Sequence, residues 1–541
     1  MINIIVSFKN GGDSGQDIFI NAKNKVSGKV DVPYVIKSLE NKTVIIFGSV
    51  IGLNNESSEL HRIAEGILTN KIDETDFYGD FISLILNEKK VSIYTDPFGQ
   101  YPVYYFIDDD KLFLLRGVSQ SSFFHFDIDF EFISEYIHTG RYLKDRTSLK
   151  KIKILSPGFK YHFACDGVFS DEYIMNEVIS KACEYSPYKV LKKTIEQKIQ
   201  SVDKIVLELS GGVESTSIAA VLSNYKNSKD IRCMSYYDKR SMSSNELFHS
   251  RKVARYFNIK LDEIELGHCL PFTPFTKGIP FHILPGSCTC LFNQQRYISD
   301  LYDSDSLFIN GHGGDSIYLA PSPPGMFMEV LFDKNLRHAA KILYGISLQH
   351  HSSFLHEITE AIKSNYISET VPSMHFFDSI KNLNRYLNPA SIFWWQTLSS
   401  TISEVIPMLD HLYSDKKVYY PFLSAPIVIN AIKSGFDKLI YNEYNRYSLR
   451  KSVYINSGYS GIWRTDKGDT THNMLEGISM NYKYIKDFIL GGNIAEKKLI
   501  DSKITEKALK NLHLGFPETL PYIIRTYSAE ACLKSIIEGN V

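Results

Sequence analysis

Residues 205–217 read IVLELSGGVESTS: an apolar run that ends in a Gly-Gly turn crowded with hydroxyls around one carboxylate. Few patterns restrict a fold more tightly. The run has the length and branched side chains of a buried strand. Gly211 and Gly212 lack a Cβ and permit backbone conformations closed to other residues. Such a turn at a strand's C-terminal end points several backbone N–H groups at one anion. Ser210, Ser215 and Thr216 add hydroxyl donors, and a helix expected to begin near Ser217 presents its positive end to the same point. Glu214 is the oddity, because a carboxylate among anion donors makes sense mainly through a bridging Mg²⁺. The lysine of a Walker-type loop is missing.

Residues 305–318, DSLFINGHGGDSIY, repeat the logic with an apolar run, a Gly-rich turn and one carboxylate, Asp315. Two strand-end loops with a carboxylate each can share one Mg²⁺, since open α/β sheets gather ligands at strand C-termini. The first loop resembles the S-G-G-x-D-S pyrophosphate loop of ATP pyrophosphatases. The pair resembles the synthetase domain of class B asparagine synthetases, where the loops read S-G-G-L-D-S and G-x-G-x-D-E. That resemblance implies ATP and Mg²⁺ as cofactors, with Glu214 and Asp315 as the metal ligands. It also implies that Ser210, Gly211, Gly212, Glu214, Ser215 and Thr216 hold the phosphates. Ser235 falls where the family's backbone contacts adenine, and Gly311 where a residue lines the adenylate. The chain departs from the pattern at Glu214, usually Asp, and at Ser316, usually Glu.

At 541 residues the chain exceeds the size at which single cores split. Its 60 Lys+Arg against 61 Asp+Glu argue against a general nucleic-acid binder, which would be basic. No apolar run approaches 18 residues, so no membrane span is expected. The start, MINIIVSFKNGG, lacks the basic region and apolar length of a signal peptide. Seven cysteines without a framework point to a reducing cytoplasm. Cys288-x-Cys290 has no partner pair, so zinc is not expected.

Residues 1–183 read as mostly β, with strands expected at 43–48, 82–86, 91–95, 102–106 and 112–115. The segment YGDFISLILNEKKVSIYTDPFGQYPVYYF (78–106) resembles the Ntn-type glutaminase domain of the same family. An active glutaminase of that kind uses an N-terminal cysteine, but position 2 is Ile2 and the first cysteine is Cys165. The Asn-Gly pair of its oxyanion hole is replaced by Phe47-Gly48. The resemblance therefore implies a scaffold or docking domain that has lost glutamine hydrolysis.

The second domain is expected over 184–541. Ser186-Pro187 is an N-cap and first-turn pair, and Leu191, Ile195 and Ile199 form one apolar helix stripe. Strands at 205–209, 231–236 and 261–266 alternate with helices at about 217–225 and to about 257, the latter opened by a Ser243-x-x-Glu246 capping box. This is the order of a doubly wound parallel sheet, followed from about 330 by a helical C-terminal region. The fold class is thus α+β and α/β: a glutaminase-like β-rich domain joined to an ATP-pyrophosphatase-type sheet.

A third segment, SGIWRTDKGDT (460–470), matches a basic stretch that reaches back to the nucleotide in asparagine synthetases. The resemblance makes Lys467 the cation that stabilises charge on the adenylate, with Arg464 auxiliary; a positioned cation is worth several kcal/mol there. The missing cysteine, the form G-H-G-G-D, and the tail TLPYIIRTYSAEACLKSII (519–537) resemble lasso peptide cyclases of the microcin type. That family implies a leader-cleaved precursor peptide as substrate, whose Asp or Glu side chain is adenylated and captured by its own N-terminal amine. It also implies a leader peptidase and a leader-binding protein as pathway partners. His312, where asparagine synthetases carry a glutamate, is a candidate either to act as a base or to orient the adenylate. Aromatic residues at 13% suit a hydrophobic peptide, though most belong to the core. Three alternatives stay open: a β-lactam synthetase-like enzyme, an ammonia-dependent asparagine synthetase, and a catalytically dead peptide-binding homologue.

Overall fold

A computed structural model gives the architecture. It describes residues 2–538 apart from 8–15, 21–24, 54–58, 109–110, 117–126, 141, 143–144, 165–168, 182–185, 240–245, 268, 276–277, 321, 324, 333–334, 369–388, 412–415, 436–437 and 467–470. Lys467, Cys165 and Ser243 therefore lie outside the described residues.

The N-terminal region is two six-stranded antiparallel sheets face to face. In chain order its strands are β1 (Ile2–Ser7), β2 (Gln16–Ile20), β3 (Lys25–Val30), β4 (Tyr34–Leu39), β5 (Lys42–Gly52), β6 (Phe77–Leu86), β7 (Lys90–Thr95), β8 (Tyr104–Asp108), β9 (Lys111–Arg116), β10 (Lys153–Ile154), β11 (Phe159–Ala164) and β12 (Phe169–Tyr173). One sheet runs β10-β8-β9-β1-β3-β2 and the other β12-β11-β7-β6-β5-β4. Val, Ile, Leu and aromatic residues recurring along β1, β6, β7, β9 and β11 meet in the layer between them, with Ile4, Ile82, Ile93, Leu112 and Phe163 fully buried. The expected strands are all present, although β8 starts at Tyr104 because Pro102 cannot donate to a ladder. Helices α1 (Leu60–Leu68) and α2 (Phe130–Thr139) add their apolar faces to the larger core.

After α3 (Met175–Ser180), the helix α4 (Pro187–Ile199) leads into the parallel sheet. Leu191, Ile195 and Ile199 are at most 1% exposed, which is the apolar stripe doing its expected packing. Ser186 occupies the N-cap position, but its side chain makes no capping bond. The sheet contains β13 (Lys204–Glu208), β14 (Asp230–Tyr237), β15 (Lys260–Glu265), β16 (Leu307–Ile309) and β17 (Lys417–Tyr419) in the order β15-β14-β13-β16-β17. All four pairings are parallel. Helices α5 (Val213–Leu222), α6 (Leu247–Phe257) and α7 (Phe292–Asp300) cross over between strands. The chain leaves β13 toward β14 on one side, while β16 pairs on its other side. That reversal puts the crevice for a ligand between the C-terminal ends of β13 and β16. Helices dominate the rest, among them Pro389–His411, Tyr447–Ser457 and Leu520–Glu538. Among the described residues, no helix is long and apolar enough to cross a membrane.

Candidate functional site

The Ser-Gly-Gly turn leaves β13 and passes directly into α5, which begins at Val213 rather than near Ser217. The earlier start places Glu214 in the first helical turn, with Gly212 as N-cap. Only one glycine uses its freedom: Gly211 has φ +73°, whereas Gly212 is extended at φ −73°, ψ 176°. A Cβ at Gly211 would lie 2.6 Å from His249 Cβ and 2.9 Å from Ser250 N, so α6 crosses too closely for a side chain. The Ser210 hydroxyl accepts the Gly212 N–H at 3.3 Å and lies 3.2 Å from the Ser215 hydroxyl. Thr216 is 1% exposed, and its Oγ1 has no partner among the described residues. The first N–H groups of α5 lack intrahelical acceptors, as at any helix start, so the turn and helix form a cradle for an anion.

Ser235 sits on the neighbouring strand, 4% exposed. Its hydroxyl lies 2.9 Å from that of Ser250, which donates to the Leu209 carbonyl at 2.7 Å. That chain ties the end of β13 to α6. Ser235 itself lies within the β14–β15 ladder, opposite Glu263.

The second turn packs against the first. A Cβ at Gly311 would lie 2.8 Å from Glu214 Cβ, and one at Gly314 would meet Glu214 Cγ, so both positions are open only to glycine. Asp315 follows in the short α8 (Gly314–Ile317), its Oδ1 accepting the Ser316 N–H at 3.0 Å. Ser316 contributes its hydroxyl to Thr401 at 2.7 Å, on the helix Pro389–His411. Asn310 bridges the two strand ends, donating to the Glu208 carboxylate while its Oδ1 accepts the His312 N–H at 2.7 Å. The His312 Nε2 lies 3.9 Å from the Glu404 carboxylate. Partial desolvation, and then the charge of Asp315, raise the Glu404 carboxyl above its ordinary range, although half of its side chain is exposed.

Arg446 is the residue that sequence reasoning missed. Its guanidinium pairs with the Glu214 carboxylate, both side chains being more than four-fifths buried. It stands in the left-handed region at φ 52°, just before the helix Tyr447–Ser457. Nothing local announces a contact between positions 232 residues apart. From the same helix, Arg450 donates to the carbonyls of Ile462 and Arg464. Burial pulls its guanidinium down to about 10, so it stays charged at neutral pH.

Arg464 reaches the cleft, but as a strut. It donates to the Gly211 carbonyl at 3.2 Å and pairs with Glu246 at 2.6 Å. Glu246 stands at the N-cap position of α6 and its carboxylate accepts from Arg464, while the capping box expected with Ser243 falls on a position outside the described residues. Asp466 adds a contact to His249 at 3.2 Å. Residues 460–466 are thereby fastened over the first turn, immediately before Lys467.

The donors suit ATP, with an anion cradle at the switch point and hydroxyls beside it. They also suit Mg²⁺, a hard cation held by a few carboxylate oxygens and phosphates. Asp315 and the Glu214 oxygen not engaged by Arg446 are the ligands on offer. Among the described residues no cluster of three or more His, Cys, Asp or Glu side chains forms a closed metal site. A metal here would depend on phosphate oxygens for the rest of its shell.

A crevice of this kind on a parallel sheet belongs to nucleotide-dependent enzymes, and the comparisons narrow that class. Residues 188–269, from α4 to just past β15, match the asparagine synthase family, "Asparagine synthase". A putative glutamine-hydrolyzing asparagine synthetase of Methanocaldococcus jannaschii is 26% identical over 203 residues, covering 35% of this chain and 34% of that protein. The chain thus spans about a third of that relative's length. It is asparagine-synthetase-like in the region that builds the first turn. Among solved structures, the allosteric regulatory enzyme of purine biosynthesis shares 11% identity over 50% of this chain and 75% of that one, with a TM-score of 0.21. The U34-tRNA thiolase NcsA of Methanococcus maripaludis shares 11% over 45% and 83%, also at 0.21. Scores this low define no common fold, and the architecture above rests on the chain's own geometry.

Proposed function

We propose that this chain is an ATP-dependent amide ligase, forming AMP and pyrophosphate, which closes a macrolactam in a leader-cleaved lasso-type precursor peptide. Residues 1–183 and 184–541 are its two domains. The observation that carries the reading is the contact between the two strand-end turns, where a Cβ at Gly311 or Gly314 would collide with Glu214. Ser210, Gly211, Gly212, Ser215 and Thr216 hold the phosphates, and Gly311 with the backbone of Ser235 borders the nucleoside. Mg²⁺ at Glu214 and Asp315, when bound, neutralises phosphate charge. Lys467 stabilises the charge that develops on the acyl-adenylate, and Arg464 holds its segment over the turn. His312, beside Glu404, takes the proton from the attacking amine. A leader peptidase and a leader-binding protein of the same cytoplasmic pathway supply the substrate.

No described cysteine lies in the two-sheet region; the five described are Cys233, Cys269, Cys288, Cys290 and Cys532. Ile2 is paired within the sheet to Val30 and Arg116. The reading takes the peptide's own amine, not ammonia from glutamine, as the nucleophile.

The test is incubation with ATP, Mg²⁺ and a core peptide. AMP, pyrophosphate and loss of one water from the peptide are expected, with no such loss once its N-terminus is acetylated. Production of ADP and phosphate would sink the phosphate-loop assignment. A second reading, asparagine formation from aspartate and ammonia, rests on the matched relative's description; it predicts asparagine in the same assay with those substrates.

A further inference from the structure

We propose that Gln100 is a positioning residue for the turn that carries His312 and Asp315, and that this link is what the two-sheet region contributes to the reaction. The inference rests on the amide-ligase reading for its catalytic meaning, but on geometry alone for the link.

The link begins in the turn after β7. The buried Asp96 carboxylate accepts the N–H groups of Gly79 at 3.0 Å, Phe98 at 3.0 Å and Gln100 at 3.2 Å, which closes the turn and fixes where Gln100 starts. Gly99 stands at φ +74°, and a Cβ there would lie 2.7 Å from Pro157 and 3.3 Å from Ile402. The turn is thus pressed against the helix Pro389–His411, which carries Glu404.

From there the Gln100 side chain crosses to the other region. Its Nε2 donates to the Ser424 hydroxyl at 3.0 Å, and its Oε1 accepts the Tyr420 N–H at 3.2 Å. The Tyr419 hydroxyl lies 2.7 Å from the same Ser424 oxygen. Both ends of one buried amide are therefore engaged by the segment 419–424.

That segment is the back wall of the second turn. The Tyr419 carbonyl accepts the Asn310 N–H at 3.1 Å. The Tyr420 ring stands edge-on to His312, 6.1 Å between centroids at 70°. Leu423 fills the space where a Cβ at Gly313 would lie, 2.5 Å away, and Phe422 does the same at Gly314, 3.1 Å away. A movement of residues 419–424 therefore moves the turn that holds His312. An apolar residue at position 100 would fill space, but only an amide satisfies the donor and the acceptor together.

The test uses the full-length chain with Gln100→Met, Ser424→Ala and both together. The first readout needs no substrate: carbethoxylation of His312 by diethyl pyrocarbonate, followed by peptide mass spectrometry. His312 is 35% exposed but its Nε2 is buried, so loosening the wall is expected to raise its labelling rate at least ~3-fold in either single variant. Because both break one link, the double variant should label no faster than the quicker single. The second readout is ATP-dependent pyrophosphate release, where kcat should fall about 10-fold (about 1.4 kcal/mol) with the KM for ATP unchanged. A purely structural role would lower the melting temperature and leave both readouts alone. Native labelling of His312 in a folded Gln100→Met or Ser424→Ala protein would overturn the proposal. Faster labelling in a chain that releases pyrophosphate with no substrate would overturn the ligase reading instead, and leave the link standing.

Discussion

Glu214 and Asp315 occupy corresponding places on their two turns, yet they differ in surroundings. Glu214 is paired with Arg446 in a largely buried setting, and Arg446 is only 8% exposed. Breaking such a pair strands one charge out of water and costs about 3–5 kcal/mol, while replacing both partners costs far less. Glu214→Gln and Arg446→Met are each expected to lower unfolding free energy by about 3 kcal/mol, with the double variant recovering most of it in urea denaturation. Asp315→Asn should leave stability within about 1 kcal/mol but reduce pyrophosphate release by at least ~10²-fold, a loss of about 2.7 kcal/mol. An active Asp315→Asn enzyme would remove this residue from the metal site. Additive losses in the Glu214 and Arg446 series would show that the pair is not coupled. The ion pair also bears on the Asp-to-Glu departure noted in the sequence. The longer side chain gives one oxygen to Arg446 while its Cβ and Cγ pack against Gly311 and Gly314 of the second turn, so the extra methylene has a structural use.

At the scale of elements, the strands were legible because branched and aromatic residues in short runs have few other ways to be buried. β5, β6, β7, β9, β13, β14 and β15 all appear where the apolar runs fall. The start of α5 was not legible. Val213, Ser215, Thr216 and Ser217 are poor helix formers, and burial of that turn overrides the preference: Ser215, Thr216 and Ser217 are all at most 5% exposed. Arg446, Glu404 and Gln100 could not be found from spacing at all, because their partners lie far away in the chain. The two glycines of the first turn make a sharp prediction at this scale. Gly211→Ala forces a left-handed backbone onto a residue with a Cβ and drives that atom into α6, so a loss of about 2 kcal/mol or more is expected. Gly212→Ala meets the Ser210 hydroxyl at 3.3 Å and a Glu214 carboxylate oxygen at 3.9 Å on an extended backbone, and should stay within about 1 kcal/mol. Equal losses by chemical denaturation would mean that the turn is not pinned by α6.

For the whole molecule, one continuous buried core joins the N-terminal sheets to the parallel-sheet region. Phe98, Tyr136 and Ile137 of the N-terminal region share a continuous buried cluster with Ile195, Ile402 and Ile406. Polar contacts follow the same seam: Lys198 to Asp80 at 2.5 Å, Tyr78 to Gln197 at 3.1 Å, Ser148 N–H to the Ile283 carbonyl at 2.9 Å, and Arg525 to the Ile137 carbonyl at 2.9 Å. A seam that is apolar at its centre and bonded along its length couples the two regions, unlike the polar contact of loosely joined domains. Unfolding of the full chain should therefore be a single cooperative event. All three tryptophans, Trp394, Trp395 and Trp463, lie after residue 390, so their fluorescence reports the C-terminal part. Far-ultraviolet circular dichroism near the β band weights the two sheets, and the two melting curves should coincide. The same reasoning condemns a fragment of residues 184–541, whose Ile402 and Ile406, 1% exposed in the full chain, would face water. It should aggregate or bind a hydrophobic dye, and release no pyrophosphate. A soluble fragment with native turnover would show that the two-sheet region is dispensable, and would argue against any positioning role for it at the second turn.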